Sequence, residues 1–309
     1  MDTNAGPPKR TRGRASVASL TREEGRERGA RIVALLNPDS IMRFTPDLPT
    51  QRVQFDGYAT TYAEAGSGEP VVLVHGSLCD WRYWKPQLAG LGKRYRVLAP
   101  SLRRYWPERW DGRGEGFSIS EHAEQLLNFV VHAVAGPVHL VGHSRGGRVA
   151  LEAALRNPGL VRSLTLADPG QPLPGNHDPR GDFRRQAREM IRDGQTEEGL
   201  ALFIDAVTGP DTWRRMVPWF KEMVRDNAGT LIGQAGEVIP LPDQLALRAL
   251  LPPVLLVGGA LSPAPFPSVL DWLESVLPDP KRVSIAHASH GMSLSNTKAF
   301  NAALDAFLQ

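Results

Sequence analysis

A serine hydroxyl attacks a carbonyl carbon effectively only when a general base takes its proton and a third group holds that base in place. Ser144 is a candidate for such a nucleophile, in the run Gly142-His143-Ser144-Arg145-Gly146-Gly147. The preceding Pro137-Val138-His139-Leu140-Val141 has the length and β-branched content of a buried strand, and Ala150, Leu151, Ala154 and Leu155 then recur at helical spacing. Ser144 is therefore expected on a sharp strand-to-helix turn. Glycines at 142 and 146 let neighbouring elements approach closely, which permits a strained backbone with the hydroxyl exposed. A glycine-rich turn carrying an ordinary serine is the competing reading.

Of the eight histidines, His290 is the best candidate base. It follows the final apolar run, 283–286, in the loop Ala288-Ser289-His290-Gly291, and precedes the last helical pattern. His287 reads as a packed or surface residue. His-x-x-His also occurs in metal sites, but no cysteine or acidic cluster surrounds this pair, and no metal is expected. The oxyanion formed on attack needs preorganised donors, for which the backbone N–H groups of Ser77, in Val74-His75-Gly76-Ser77, and of Arg145 are candidates. Arg145 lies at a helix N-terminus, where orphan N–H groups and the macrodipole favour negative charge. His75 reads as a residue that hydrogen-bonds this loop.

These residues need a frame. Residues 52–57 and 59–65 read as an antiparallel pair split at Asp56-Gly57 and closed by Gly66-Ser67-Gly68. Short apolar runs at 71–74, 97–99, 138–141, 164–167, 254–257 and 283–286 follow, most of them separated by helical stretches. That alternation predicts an α/β fold, a mostly parallel sheet with helices on both faces. Ser118 three residues before Glu121 is a capping box, followed by the apolar stripe Leu126, Leu127, Val130 and Val131.

More than eighty residues separate Asp168 from Val254, far more than one connecting helix requires. An inserted helical cap is expected over 171–250, between core segments 32–170 and 251–309. It opens on the Pro/Gly-rich stretch 169–181, and Leu200, Phe203, Ile204 and Val207 continue it at helical spacing. Trp213, Met216, Trp219, Phe220 and Met223 mostly read as helix packing. Trp213, Trp219 and Phe220 are also candidates to line a pocket, because the insert covers the strand ends where open α/β sheets bind ligands.

Residues 1–31 carry eight Lys/Arg against four Asp/Glu, a balance of +4; subtracted from the total of +3, this leaves −1 for the rest. The basic character belongs to a tail expected to be disordered, and without interleaved aromatics it does not point to nucleic acid. The single cysteine, Cys79, precludes an intramolecular disulfide, and no long apolar run suggests a membrane helix or signal peptide. A cytoplasmic protein acting on a small molecule is expected, and oligomeric state is left open.

Over residues 52–309 the chain resembles the α/β-hydrolase fold family. The likeness rests on His75-Gly76 after the third strand, Gly-His-Ser-Arg-Gly-Gly after the fifth and a histidine after the eighth. It implies a serine, histidine and acid, a helical cap after the sixth strand, no cofactor, and hydrolysis of esters, lactones, thioesters or related acyl compounds. Serine at position 144 departs from the epoxide hydrolase and haloalkane dehalogenase branches, which place an aspartate there. The acid is commonly found a few residues after the penultimate strand, but Gly259-Ala260-Leu261-Ser262-Pro263 has serine at that place. Asp168, at the end of the sixth strand, is the expected substitute, as some branches carry the acid there; Asp271 and Asp205 are weaker alternatives. An aspartate that merely satisfies the turn before Pro169 is the other reading. Arg103, Arg104, Tyr105 and Trp106 replace the glycine-rich loop of many relatives and are candidates to narrow a pocket or bind a substrate carboxylate; surface cover is the competing reading.

The leading expectation is a serine hydrolase acting on a carboxylic ester or lactone with an apolar portion. A lyase or cofactor-independent oxygenase on the same fold, and a non-catalytic ligand-binding protein, are the alternatives.

Overall fold

The computed structural model describes Met1 and residues 48–175, 181–234 and 236–309. The chain divides into Met1–Leu35 and Leu36–Gln309. The tail expected over 1–31 lies outside the described residues, Met1 excepted, as does part of the 169–181 stretch.

Eight strands form one sheet in the order β1-β2-β4-β3-β5-β6-β7-β8. β1 (Thr50–Phe55) and β2 (Tyr58–Ala65) form the expected antiparallel hairpin. Asp56 and Gly57 both take positive φ at its turn, 47° and 73°, the geometry that suits the twist of the flanking strands. β2 pairs antiparallel with β4 (Arg96–Pro100), and from there the pairing is parallel through β3 (Pro70–Val74), β5 (Val138–His143), β6 (Val161–Ala167), β7 (Val254–Gly259) and β8 (Lys281–Ile285).

Strand residues alternate between two apolar layers, as a period of two requires. Val71, Leu73, Val141, Leu255 and Val257 pack on one face with Leu88 of α1 (Lys85–Leu91) and Phe300 and Leu304 of α11 (Thr297–Leu308). Val72, Val74, Leu140, Leu164 and Leu256 pack on the other with Leu126 of α2 (Ile119–Phe129), Val149 of α3 (Arg145–Arg156) and Leu273 of α10 (Phe266–Val276). The N-cap half of the capping box forms at α2: Ser118 Oγ accepts from the Glu121 N–H at 3.1 Å. The Glu121 carboxylate returns to the serine hydroxyl at 3.0 Å.

Between β6 and β7 lie α4 (Gly181–Arg192), α5 (Thr196–Thr208), α6 (Thr212–Arg215), α7 (Pro218–Asp226), α8 (Gly229–Gln234) and α9 (Gln244–Arg248). Leu200, Phe203, Ile204, Val207, Trp213 and Phe220 of this insert are buried in the first apolar layer. No helix among the described residues is long and apolar enough to cross a membrane.

Candidate active site

Ser144 sits between β5 and α3 with φ 53° and ψ −122°, a conformation that an L-residue adopts at a cost and that surrounding structure must hold. The holding groups are visible. Ser144 N–H donates to Ala167 O of β6 at 3.0 Å, and Ser144 O accepts from Gly147 and Gly170 N–H at 2.9 and 2.8 Å. The two glycines are sterically required: a Cβ on Gly142 would stand 2.4 Å from Gly146 O, and one on Gly146 would stand 2.2 Å from Val74 O. Ser144 Oγ makes no hydrogen bond with a described residue.

Asp168 ends β6 at φ 39° and is fully buried, its N–H held by Val257 O at 2.9 Å. Its Oδ2 lies 3.4 Å from His290 Nδ1 and accepts a 2.5 Å hydrogen bond from Ser262 Oγ. Burial pushes this carboxyl up to about 6, against the pull of the Ser262 hydroxyl and of the Gly259 N–H. His290 is buried and stacks on Phe266, ring centroids 3.9 Å apart. His143, next to Ser144, donates from Nε2 to His290 O at 2.7 Å, tying the loop after β8 to the turn after β5. Burial and the adjacent His290 bring His143 down to about 3, so it is a neutral tie.

The loop after β3 is held against the serine. A Cβ on Gly76 would stand 3.0 Å from Ser144 Cβ. His75 Nδ1–H donates to Gly76 O at 2.9 Å and its Nε2 accepts from Leu102 N–H at 3.0 Å, an arrangement that specifies one neutral tautomer. Burial lowers His75 to about 4, in keeping with its expected loop-holding role. The backbone N–H groups of Ser77 and Arg145 have no hydrogen-bond partner among the described residues.

Other candidates are used elsewhere. His287 is exposed, Asp271 pairs with Arg282 at 2.7 Å, and Asp205 accepts from Trp213 N–H at the same distance, at the start of α6. Arg104 is spent on its own loop, bonding Glu108 and Glu115 O, and Arg103 lies over the Tyr58 ring. Trp106 lies under Arg82, 3.9 Å from its guanidinium, and Trp213 is buried within the insert. Tyr105 is buried at 1% exposure, its hydroxyl 3.4 Å from Gln234 Nε2. Phe220 meets Trp219 at 5.6 Å and Tyr83 at 6.4 Å, and Tyr83 stacks on His143 at 5.1 Å. This aromatic path joins α7 to the turn beside Ser144.

Several contacts have no local sequence signal. The Arg145 side chain pairs with Glu237 at 2.5 Å, both nearly fully buried. Glu237 also accepts from Ile119 N–H at the start of α2, and Arg145 reaches His122 Nδ1 at 3.3 Å. Ser77 Oγ donates to Gln234 Oε1 at 2.7 Å. The insert is therefore bonded both to the helix behind Ser144 and to the loop after β3. No group of three or more His, Cys, Asp or Glu among the described residues could hold a metal ion.

This sheet order, with its turn after β5 and its insert after β6, defines a class, and sequence comparison agrees. A family profile described as "Alpha/beta hydrolase family" matches residues 71–303, and the chain belongs to that family. Among individual relatives, it is 31% identical over 128 residues to a soluble epoxide hydrolase of Corynebacterium sp., covering 40% of this chain and 42% of that protein. It is 32% identical over 114 residues to the 2-hydroxy-6-oxo-2,4-heptadienoate hydrolase of Pseudomonas putida, covering 36% of this chain and 41% of that one. Each of these matches spans less than half of the relative's length. Among solved structures, the naproxen esterase of Bacillus subtilis superposes with a TM-score of 0.70 at 19% identity, covering 94% of this chain and all of that chain, a likeness of fold.

Proposed function

We propose that this hydrolase cleaves a carboxylic ester or lactone with an apolar portion through an acyl-enzyme on Ser144. The observation that carries the proposal is the strained Ser144 backbone at the head of α3, on the same sheet end as the buried His290–Asp168 pair. In this reading Ser144 Oγ bonds to the carbonyl carbon while its proton passes to His290 Nε2. Asp168 stabilises the imidazolium through Nδ1. The carbonyl oxygen, now negative, accepts from the Ser77 and Arg145 N–H groups. The C–O bond to the leaving group then breaks, and the departing oxygen takes the proton from His290. Water repeats the sequence: it gives a proton to His290, attacks the acyl carbon, and Ser144 leaves with that proton, releasing the acid.

The apolar portion of the substrate is inferred from the aromatic side chains of the insert, Trp213, Trp219 and Phe220, in the segment between β6 and β7. Serine at 144 favours acyl transfer over the chemistry named for the epoxide hydrolase relative. The test is fluorophosphonate labelling of the purified protein, read by intact mass and peptide mapping, with Ser144→Ala as control. A single adduct at Ser144, followed by turnover on an ester and lactone panel, is the expected result. A folded protein that neither labels nor hydrolyses the panel would move the reading to proton transfer without an acyl intermediate, or to ligand binding.

A further inference from the structure

Ser262 occupies the loop after β7 and sends its hydroxyl across to β6. Its Oγ lies 2.5 Å from Asp168 Oδ2, the same oxygen that faces His290 Nδ1 at 3.4 Å. A hydroxyl has one proton, and here it is committed to the carboxylate. The loop that carries it is fixed by backbone: Ser262 N–H donates to Gly259 O at 3.0 Å, Ala260 N–H to Ile285 O at 3.0 Å and Leu261 N–H to Ala288 O at 2.9 Å. Gly259 must lack a side chain for this approach, since a Cβ there would stand 2.7 Å from Ser262 Oγ and 2.5 Å from Ser289 O. The loops after β6, β7 and β8 thus converge on a single carboxylate oxygen.

From this geometry we infer that Ser262 is a positioning residue of the active site, which holds Asp168 ionised and turned toward His290. The inference rests on the reading of Ser144, His290 and Asp168 given above. Asp168 is fully buried in a place that penalises its charge, and the Ser262 hydroxyl is the largest of the influences that oppose that penalty. The groups facing it are His290 from the loop after β8, His143 from β5, the Gly259 N–H from β7, and, more distantly, Tyr83, whose own hydroxyl accepts from Ser293 at 2.6 Å. Neither His143, held neutral, nor the Tyr83 hydroxyl supplies a cation, so the Ser262 proton is the short, charge-assisted bond available to Oδ2 besides His290.

The test measures the second-order rate of fluorophosphonate labelling at Ser144 between pH 5 and 9 in the full chain, for the native protein, Ser262→Ala and Ser262→Thr. Without the hydroxyl, Asp168 takes up its proton at higher pH. The acid limb of the alanine variant should move up by about one pH unit or more, with a rate loss of at least tenfold at pH 6 that shrinks by pH 8. Ser262→Thr, which keeps the hydroxyl, should follow the native curve. An alanine variant whose acid limb coincides with the native one overturns the inference, even if its rate falls uniformly, and so does a threonine variant no better than alanine. A native protein that does not label overturns the reading of Ser144 itself, and with it the inference, a failure distinct from the first two. Circular dichroism melts of each variant separate misfolding from a loss of positioning; should the alanine variant not fold, the threonine variant against Ser262→Cys decides by the same criterion.

Discussion

Two groupings of serine, histidine and carboxylate stand at opposite ends of the same strands. At the carboxyl ends are Ser144, His290 and Asp168. At the amino ends, His139 Nδ1 lies 2.7 Å from Ser163 Oγ, and its Nε2 lies 3.5 Å from the Glu69 carboxylate. The second grouping, like the first, holds one of its two contacts as a hydrogen bond. Its serine has no strained backbone, however: Ser163 lies within β6 opposite His139 of β5, next to a register shift and without a positive φ, and the Glu69 side chain is 54% exposed. Ser144 has a positive φ, a helix N-terminus behind it, and two backbone N–H groups beside it that no described residue uses. The contrast separates residue type from residue setting. A nucleophile needs somewhere for developing negative charge to go, and of the two groupings it is Ser144 that has N–H groups beside it unused by any described residue.

The contrast can be broken most directly by labelling. Ser144→Ala should reduce fluorophosphonate incorporation to background, whereas Ser163→Ala should leave it at the native level; adduct on Ser163 would erase the distinction. Next in size is the acid. Asp168→Asn should lower kcat by about 10⁴, as loss of an orienting carboxylate does, while Glu69→Gln should change it less than twofold, both from steady-state kinetics on whichever ester the native protein turns over.

A smaller effect, with the opposite sign, should appear in stability. The Asp168 carboxyl is held near 6 in the folded chain against an ordinary 3.8, so the folded state binds the proton more tightly and ionisation works against folding. That penalty is absent well below pH 4, grows between about pH 4 and 6, and is complete above 6. Asp168→Asn should therefore stabilise the protein by up to about 3 kcal/mol at pH 8 and by far less at pH 4, measured by urea unfolding at the two pH values. The smallest effect belongs to the other end of the sheet. His139→Gln should cost about 1 kcal/mol through its lost hydrogen bond and leave the labelling rate unchanged.

Legibility in the sequence followed the range of each interaction. The hairpin at Asp56-Gly57, the cap at Ser118 and the turn at Ser144 depend on neighbours within a few residues, and all formed where expected. Strand ends differ from the expected ones by at most three residues, because β-branched runs mark a strand's centre while its ends are decided by pairing partners. At position 262 the serine was visible as a missing acid, but its bond to Asp168 spans 94 positions and has no local mark. Nothing in the local sequence marks Glu237, whose partner Arg145 is 92 positions away. The arginines at 103 and 104 stood out by charge, yet the groups they meet in the folded chain are Tyr58, Glu108 and Trp110.

The helices between β6 and β7 share one apolar layer with the sheet beneath them. Ala187, Leu200, Phe203, Met223 and Leu231 belong to the same cluster as Val141 and Ala167 of the strands that carry Ser144 and Asp168, and as Phe300 of the final helix. Such a layer is not modular. A chimera that exchanged residues 181–248 for another protein's helices would have to supply matching side chains to the sheet as well, and would also remove Asn227, whose side chain donates to the buried Asp80 at 2.8 Å. Transplanting the segment whole is thus expected to cost the fold more than single substitutions inside the existing layer.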